Sequence, residues 1–415
     1  MITKEQLPQA VEKALAAAPV TDLHTHIFSA AFGDLLLWGV DELVTYHYLI
    51  AENFRYTGMA YGQYFKLSKK EQAELIWKNL FLEHSPVSEA QRGVLTALNK
   101  LGLDVGSRSL ASFREFCASF TPGQYIDKVF ETAGVRSVVM TNDPFDARER
   151  AVWLAGGHDD GRFMSALRID PLLNAYEQSY QQLQELGYAV DKRLGAKSVE
   201  EIKRFLREWA KRMKALYMAV SLPPTFAVPE DSLRSRIIEE CVVPVARELD
   251  IPFAMMIGVN KRVNDKLGDA GDSVGKSSVR PLEFLCEKYP ENKFLVTMLA
   301  RENQHELAVT ARKFRNLLVF GCWWFLNNPS IIEEITRMRM ELLGMSFVPQ
   351  HSDARILDQL LYKWDHSRKI IGKVLVDKYG DLLATGWKLD EAELQRDVAG
   401  LMGDNFWKFV GKKPV

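Results

Sequence analysis

The chain has 415 residues, 47% hydrophobic and 26% charged, with a formal net charge of −1 and a pI near 6.7. So even a balance gives no field for nucleic acid or anionic membrane, and an anionic ligand has to be met by individual arginines. No apolar run reaches the ~20 residues of a membrane span, residues 1–19 carry no signal-peptide core, and Cys117, Cys241, Cys286 and Cys322 lack C-x-x-C spacing, so the reading is a cytoplasmic protein with buried thiols and no membrane or nucleic-acid partner.

After the Pro19 break, Val20–His26 reads Val-Thr-Asp-Leu-His-Thr-His. Its content is that of a strand, and side chains two apart on a strand share a side, so His24 and His26 can aim at one point. Converging imidazoles suit a divalent metal, although the pair alone also fits a solvated face. Apolar, β-branched runs recur at Val135–Asp143, Phe163–Asp170, Leu216–Pro223, Ile251–Gly258, Phe294–Ala300, Leu317–Phe325 and Ser346–Asp353, with helical stretches between them. This alternation predicts parallel strands buried on both faces and an α/β fold closed as a (β/α)8 TIM-type barrel, with an open doubly wound sheet as the rival.

Residues 1–26 supply an N-terminal helix and the first strand. Residues 27–134 are too many for one crossover and are expected to form a helical insertion between strands 1 and 2. Ser68–Glu71 and Ser88–Gln91 are capping boxes there, and Leu75, Ile76, Asn79 and Leu80 share one stripe. The rest of the barrel spans 135–355, with a further capping box expected at Ser198–Glu201 and a helix from Pro329 to about Gly344. Residues 356–415 read as C-terminal helices on the outside. The Gly/Asp-rich stretch Val259–Ser278 reads as a mobile flap; its Gly271 and Gly275 have three residues between them, where a phosphate loop needs four.

Functional groups of such a barrel gather at the C-terminal strand ends. These offer His24 and His26, then Asn142 and Asp143, Arg168 and Asp170, Arg301, Trp323 and Trp324, and finally His351, Asp353 and Arg355. The fourth and fifth ends, Ser-Leu-Pro-Pro and Met-Met-Ile-Gly, offer no ligand. Asp353 completes a His/His/Asp set with open positions, as a catalytic metal site has; the plainer reading is a helix cap. Arg168 and Arg355 can each hold a carboxylate bidentately. Arg301 has Glu302 beside it and is weaker. Trp323 and Trp324 suit packing at the mouth or a sugar platform, and His47 with Tyr48 sits on a helix over that mouth.

Val-Thr-Asp-Leu-His-Thr-His, the insertion's Thr-Tyr-His-Tyr, Thr141-Asn-Asp-Pro144 and Pro349-Gln-His-Ser-Asp-Ala-Arg355 together resemble the uronate isomerase (glucuronate isomerase) family of the amidohydrolase superfamily. The resemblance runs over the whole chain. It implies interconversion of D-glucuronate with D-fructuronate and of D-galacturonate with D-tagaturonate. It implies that His24, His26 and Asp353 surround one divalent metal, taken as Zn2+, that Asp353 moves the proton and Tyr48 assists, and that His47, Arg168 and Arg355 contact the sugar acid. Trp323, Trp324 and Arg301 complete the expected substrate set. The two-metal hydrolases of the superfamily use fourth- to sixth-strand ligands that are missing here, and His305 lies past the sixth strand in helical sequence. A single metal is therefore expected, which leaves a mononuclear hydrolase or decarboxylase as the alternative enzyme and a non-catalytic sugar-acid binder as the other rival. Exposed insertion helices would allow a homo-oligomer.

Overall fold

The computed structural model describes residues 1–414. Strands β1 (Val20–Thr25), β2 (Val135–Asn142), β3 (Phe163–Arg168), β4 (Met218–Leu222), β5 (Phe253–Ile257), β6 (Phe294–Met298) and β7 (Leu317–Val319) form one parallel sheet in chain order. Each is the core of an expected run, and each is buried nearly throughout, as the unbroken apolar patterning requires when both faces are covered.

The eighth run departs from expectation. Pro349 has no N–H to give a ladder, and Asp353 sits at φ +50, so residues 346–353 form a single parallel bridge, Phe320–Val348, in place of a strand. The segment is nonetheless tied on both sides. Gly321 N donates to Val348 O at 2.8 Å, while Asp353 N donates to His24 O at 3.0 Å and His26 N to Ala354 O at 2.7 Å.

The sheet curls, and its two faces bury different cores. Leu23, Val139, Ala166, Ala219, Ala254, Leu295 and Leu318, one from each strand, pack with Tyr217 and Phe320 inside the curl, where Phe406, Trp407 and Val410 close one end. Alternate residues such as Val138, Met140, Val220 and Val296 join the larger core shared with the helices. Full burial of each large apolar side chain contributes about 1.5–3 kcal/mol, so the last helix, Asn405–Val410, serves as a plug and not as a loose tail.

Residues 30–133 between β1 and β2 are helical, as expected. Ser68 and Ser88 cap their helices through reciprocal bonds with Glu71 and Gln91, and Ile76, Asn79 and Leu80 are buried. The expected box at Ser198 is not one. That helix starts at Ala196, and Ser198 Oγ donates instead to Asp191 Oδ2 at 2.8 Å, while Glu201 accepts the N–H of Ala189. The Pro329–Leu343 helix ends at Gly344, with Asn328 as its cap. Among the described residues no helix is long and apolar enough to cross a membrane, and the four cysteines are free and buried.

Candidate active site

The C-terminal ends of the strands build one small cavity, lined by His24, His26, His47, Arg168, Ser221, Val259, Lys261, Trp323, Trp324, Asp353 and Arg355. Asp353 Oδ1 lies 3.3 Å from His24 Nε2 and 3.4 Å from His26 Nε2. Local structure explains the convergence. Pairing of β1 slips between Asp22 and Thr25, and such irregularities re-aim side chains at barrel rims. On the other side, the positive φ of Asp353 turns its carboxylate back toward β1.

That strained residue is held from both flanks. Asp22 Oδ1 accepts Ser352 N at 2.9 Å, Asp22 Oδ2 accepts Trp364 Nε1 at 2.8 Å, and the buried Lys363 ammonium donates to Ser352 O. Asp353 caps no helix: the next one begins at Gln359, whose side chain takes the N–H groups of Arg355 and Ile356.

The hydrogen bonds fix the protonation of His26. Thr141 Oγ1 has one proton, and at 2.6 Å from Thr25 O it gives it there. At 3.1 Å from His26 Nδ1 the same oxygen therefore accepts, so Nδ1 carries the hydrogen. Burial pushes His26 down to about 3, which keeps the ring neutral and leaves a lone pair on Nε2 facing a carboxylate oxygen. Two electron pairs in apposition call for a cation between them. His24, His26 and Asp353 offer ligand atoms all within 4.8 Å of one another, and buried His24 Nδ1 has no partner. The donor set thus fits a divalent metal, with Thr141 orienting a ligand as outer partners of metal sites do.

His47 is pushed down to about 3 by burial and faces the cavity as a neutral ring. Tyr48 packs edge-on to it, with centroids 4.7 Å apart. The Tyr48 hydroxyl and His47 Nε2 are buried with no protein partner, and burial drives the phenol well above its ordinary value, so it stays protonated. Tyr48 is half-buried beside the cavity, next to the lining residue His47. Arg168 is paired through Nε and Nη2 with Asp170 at 3.0 and 3.1 Å, and Arg355 donates to Asp269 at 3.2 Å. Trp323 and Trp324 pack with Met256, Val259 and Leu299.

Arg301 is elsewhere. It is exposed and ion-paired with Glu334, because the turn after β6 carries it toward the Pro329–Leu343 helix. His305 is exposed too. Two contributors escape the sequence reading, and a third, His351, is offered by its strand end without a role. Ser221 comes from the fourth strand end, which had offered no ligand, and Lys261 from the loop after β5. His351 stands behind His24, ring centroids 5.1 Å apart, in space that Gly321 leaves open: a Cβ there would lie 1.8 Å from His351 Cδ2.

No protein-family model and no curated protein sequence matches the chain. Solved structures do. A uronate isomerase from Thermotoga maritima superposes with a TM-score of 0.76 at 16% identity, over 97% of each chain. A glucuronate isomerase from Caulobacter crescentus gives 0.76 at 14% identity, over 99% of this chain and 95% of that one. At such identities these two speak for the fold alone. A uronate isomerase from Bacillus halodurans C-125 gives 0.98 at 57% identity, over 100% of this chain and 98% of that one. With that identity sustained end to end, the chain belongs to the uronate isomerase family.

Proposed function

We propose that the chain is an aldose–ketose isomerase that interconverts D-glucuronate with D-fructuronate and D-galacturonate with D-tagaturonate. The observation that carries this reading is the meeting of Asp353 with His24 and His26 in a cavity flanked by Arg168 and Arg355, in a chain 57% identical to a uronate isomerase. Two guanidiniums at a site with a carboxylate base suit a sugar that is itself an acid.

In this mechanism Asp353 removes the C2 proton next to the aldehyde of the open-chain sugar, giving a cis-enediol, and returns a proton to C1. A positioned base of this kind contributes about 10²–10⁴ in rate. Tyr48, kept protonated by burial, or Asp353 passes the proton between O1 and O2. Arg168 and Arg355 bind the sugar carboxylate, His47 meets a hydroxyl through its unpartnered nitrogen, and Trp323 and Trp324 wall the site against water. His24, His26 and Asp353 would hold one divalent ion, assigned as Zn2+, which when bound supplies Lewis-acid orientation of sugar oxygens.

The eighth segment, tied to both β7 and β1, supports reading the curled sheet as the (β/α)8 barrel of the amidohydrolase superfamily, with 27–134 as the inserted subdomain, 1–26 and 135–355 as the barrel, and 356–415 as its outer helices. Buried free thiols suit a cytoplasmic setting, and the exposed insertion helices would allow a homo-oligomer without requiring one. A mononuclear hydrolase or decarboxylase is disfavoured by the family membership. Following both uronates by NMR in D2O tests the reading. The ketose should appear with solvent deuterium at C1, and Asp353→Asn should abolish turnover with the fold intact. Hydrolysis of a lactone or amide with no uronate conversion would overturn it.

A further inference from the structure

The cavity holds about 30 Å3, room for about two ordered waters at about 10–15 Å3 each, so a sugar acid needs it opened further. What closes it is the stretch 259–278. Val259 and Lys261 line the cavity, and the root of the stretch is narrow: Val259 and Asn260 pair antiparallel with Val274 and Ser273, and Gly275 N donates to Gly258 O at 3.0 Å. Gly258 sits at φ +118, a conformation glycine takes without strain.

Beyond that root, little holds the stretch down. Lys261 and Asp272 pair with each other at 2.6 Å, an interaction internal to it. Of its large apolar side chains between 261 and 271, Val263 is 61% exposed and Leu267 is half-buried. Ser277 is anchored to Asn303 by two hydrogen bonds, 3.0 and 2.7 Å, and the turn Asp265–Gly271 rests on the helices His47–Asn53 and Tyr61–Tyr64. Between 261 and 271 the outward side-chain ties are Asn264 Nδ2 to Tyr61 Oη at 3.4 Å, the Lys261 ammonium 5.7 Å from the Trp324 ring, and Arg355 Nη1 to Asp269 Oδ2 at 3.2 Å. A segment with few buried apolar contacts opens at little cost, and between 261 and 271 the one ion pair to the rest of the described residues is with an arginine assigned to substrate.

We propose that 259–278 is a lid and that Asp269 latches it by occupying on Arg355 the guanidinium that a substrate carboxylate takes. The incoming acid then displaces the Asp269 carboxylate and frees the lid, which makes the entry step selective for sugar acids over neutral sugars. The identity of the displacing anion rests on the uronate reading; the latch does not.

The test is Asp269→Asn in the full-length protein, followed by hydrogen exchange without substrate and by kinetics with D-glucuronate. Exposed ion pairs are modest, so exchange across 261–270 should quicken about two- to five-fold and KM should fall by a similar factor, with kcat within about two-fold. Asp269→Glu, which keeps the charge, should restore slow exchange. Asp269 is exposed, and a residue that merely ordered the loop would raise KM when changed. Unchanged exchange, or a KM that stays or rises, overturns the latch. Faster exchange in a protein that leaves uronates untouched keeps the latch and sinks the substrate assignment.

Discussion

Asp22 Oδ1 accepts the N–H of Ser352 at 2.9 Å, across 330 residues of sequence. Through that bond β1, which carries both histidines, also sets the backbone of their carboxylate partner. Asp353 is a non-glycine residue at φ +50, a conformation that costs of order 1–3 kcal/mol and persists only where its surroundings impose it.

Asp22→Asn should therefore act on Asp353 without touching substrate. The two donors, Ser352 N and Trp364 Nε1, sit on different oxygens, and an amide puts an NH2 in place of one of them, so one buried donor loses its partner, at about 1–3 kcal/mol. The expected outcome is a lower urea midpoint and a kcat reduced at least about ten-fold, with KM little changed. If kcat holds while stability drops, the clamp serves the fold only.

Thr141→Val removes the oxygen that accepts from His26 Nδ1 and keeps the side-chain shape. Loss of such an outer partner costs about 10- to 100-fold in metal affinity. Chelator competition on the holoprotein reads this directly. An affinity equal to that of wild type would mean the His26 tautomer is set by something else.

The three arginines proposed from the sequence should separate kinetically. Arg168→Met and Arg355→Met each remove a charge-assisted contact worth roughly 1.5–3 kcal/mol, which corresponds to a KM for uronates raised about 10- to 150-fold. Arg301→Met should leave KM alone, since Arg301 is 57% exposed and bound to Glu334. A raised KM for Arg301→Met would place substrate contacts outside the cavity.

The sheet and the His/His/Asp cluster were legible because each obeys a local rule: unbroken apolar runs for buried parallel strands, and a spacing of two for His24 and His26. The eighth strand was misread for a reason also present in the sequence, since Pro349 denies the ladder a donor. Arg301 stands outside the cavity because a strand-end position says nothing about where the next turn points. Lys261 and Ser221 were missed, and His351 was named without a role, because what brings them in is tertiary. Lys261 arrives by the fold of a polar loop, and His351 fits only because Gly321, at φ +76, has no side chain. Thr141 carried no signal of its own; its role follows from which acceptor its proton reaches.

Stability should depend on pH through the carboxylates after β2. Glu149 is buried and accepts from Asn142 Nδ2 at 3.1 Å and Asp143 N at 2.9 Å. Burial pushes it up to about 7, helped by Asp143 nearby, and burial likewise lifts Asp143 to about 6. An acid with a higher pKa folded than unfolded binds its proton more tightly in the native state. Its stabilising effect is therefore full below about 4.5 and is lost as pH rises to about 7, by as much as about 3 kcal/mol for Glu149. Glu149→Gln keeps an oxygen for both donors and cannot ionise. Urea midpoints should match wild type near pH 4.5 and exceed it near pH 8, with the residual slope of the variant confined below about pH 6, where Asp143 titrates. Parallel curves for the two proteins would show that Glu149 is not the titrating group.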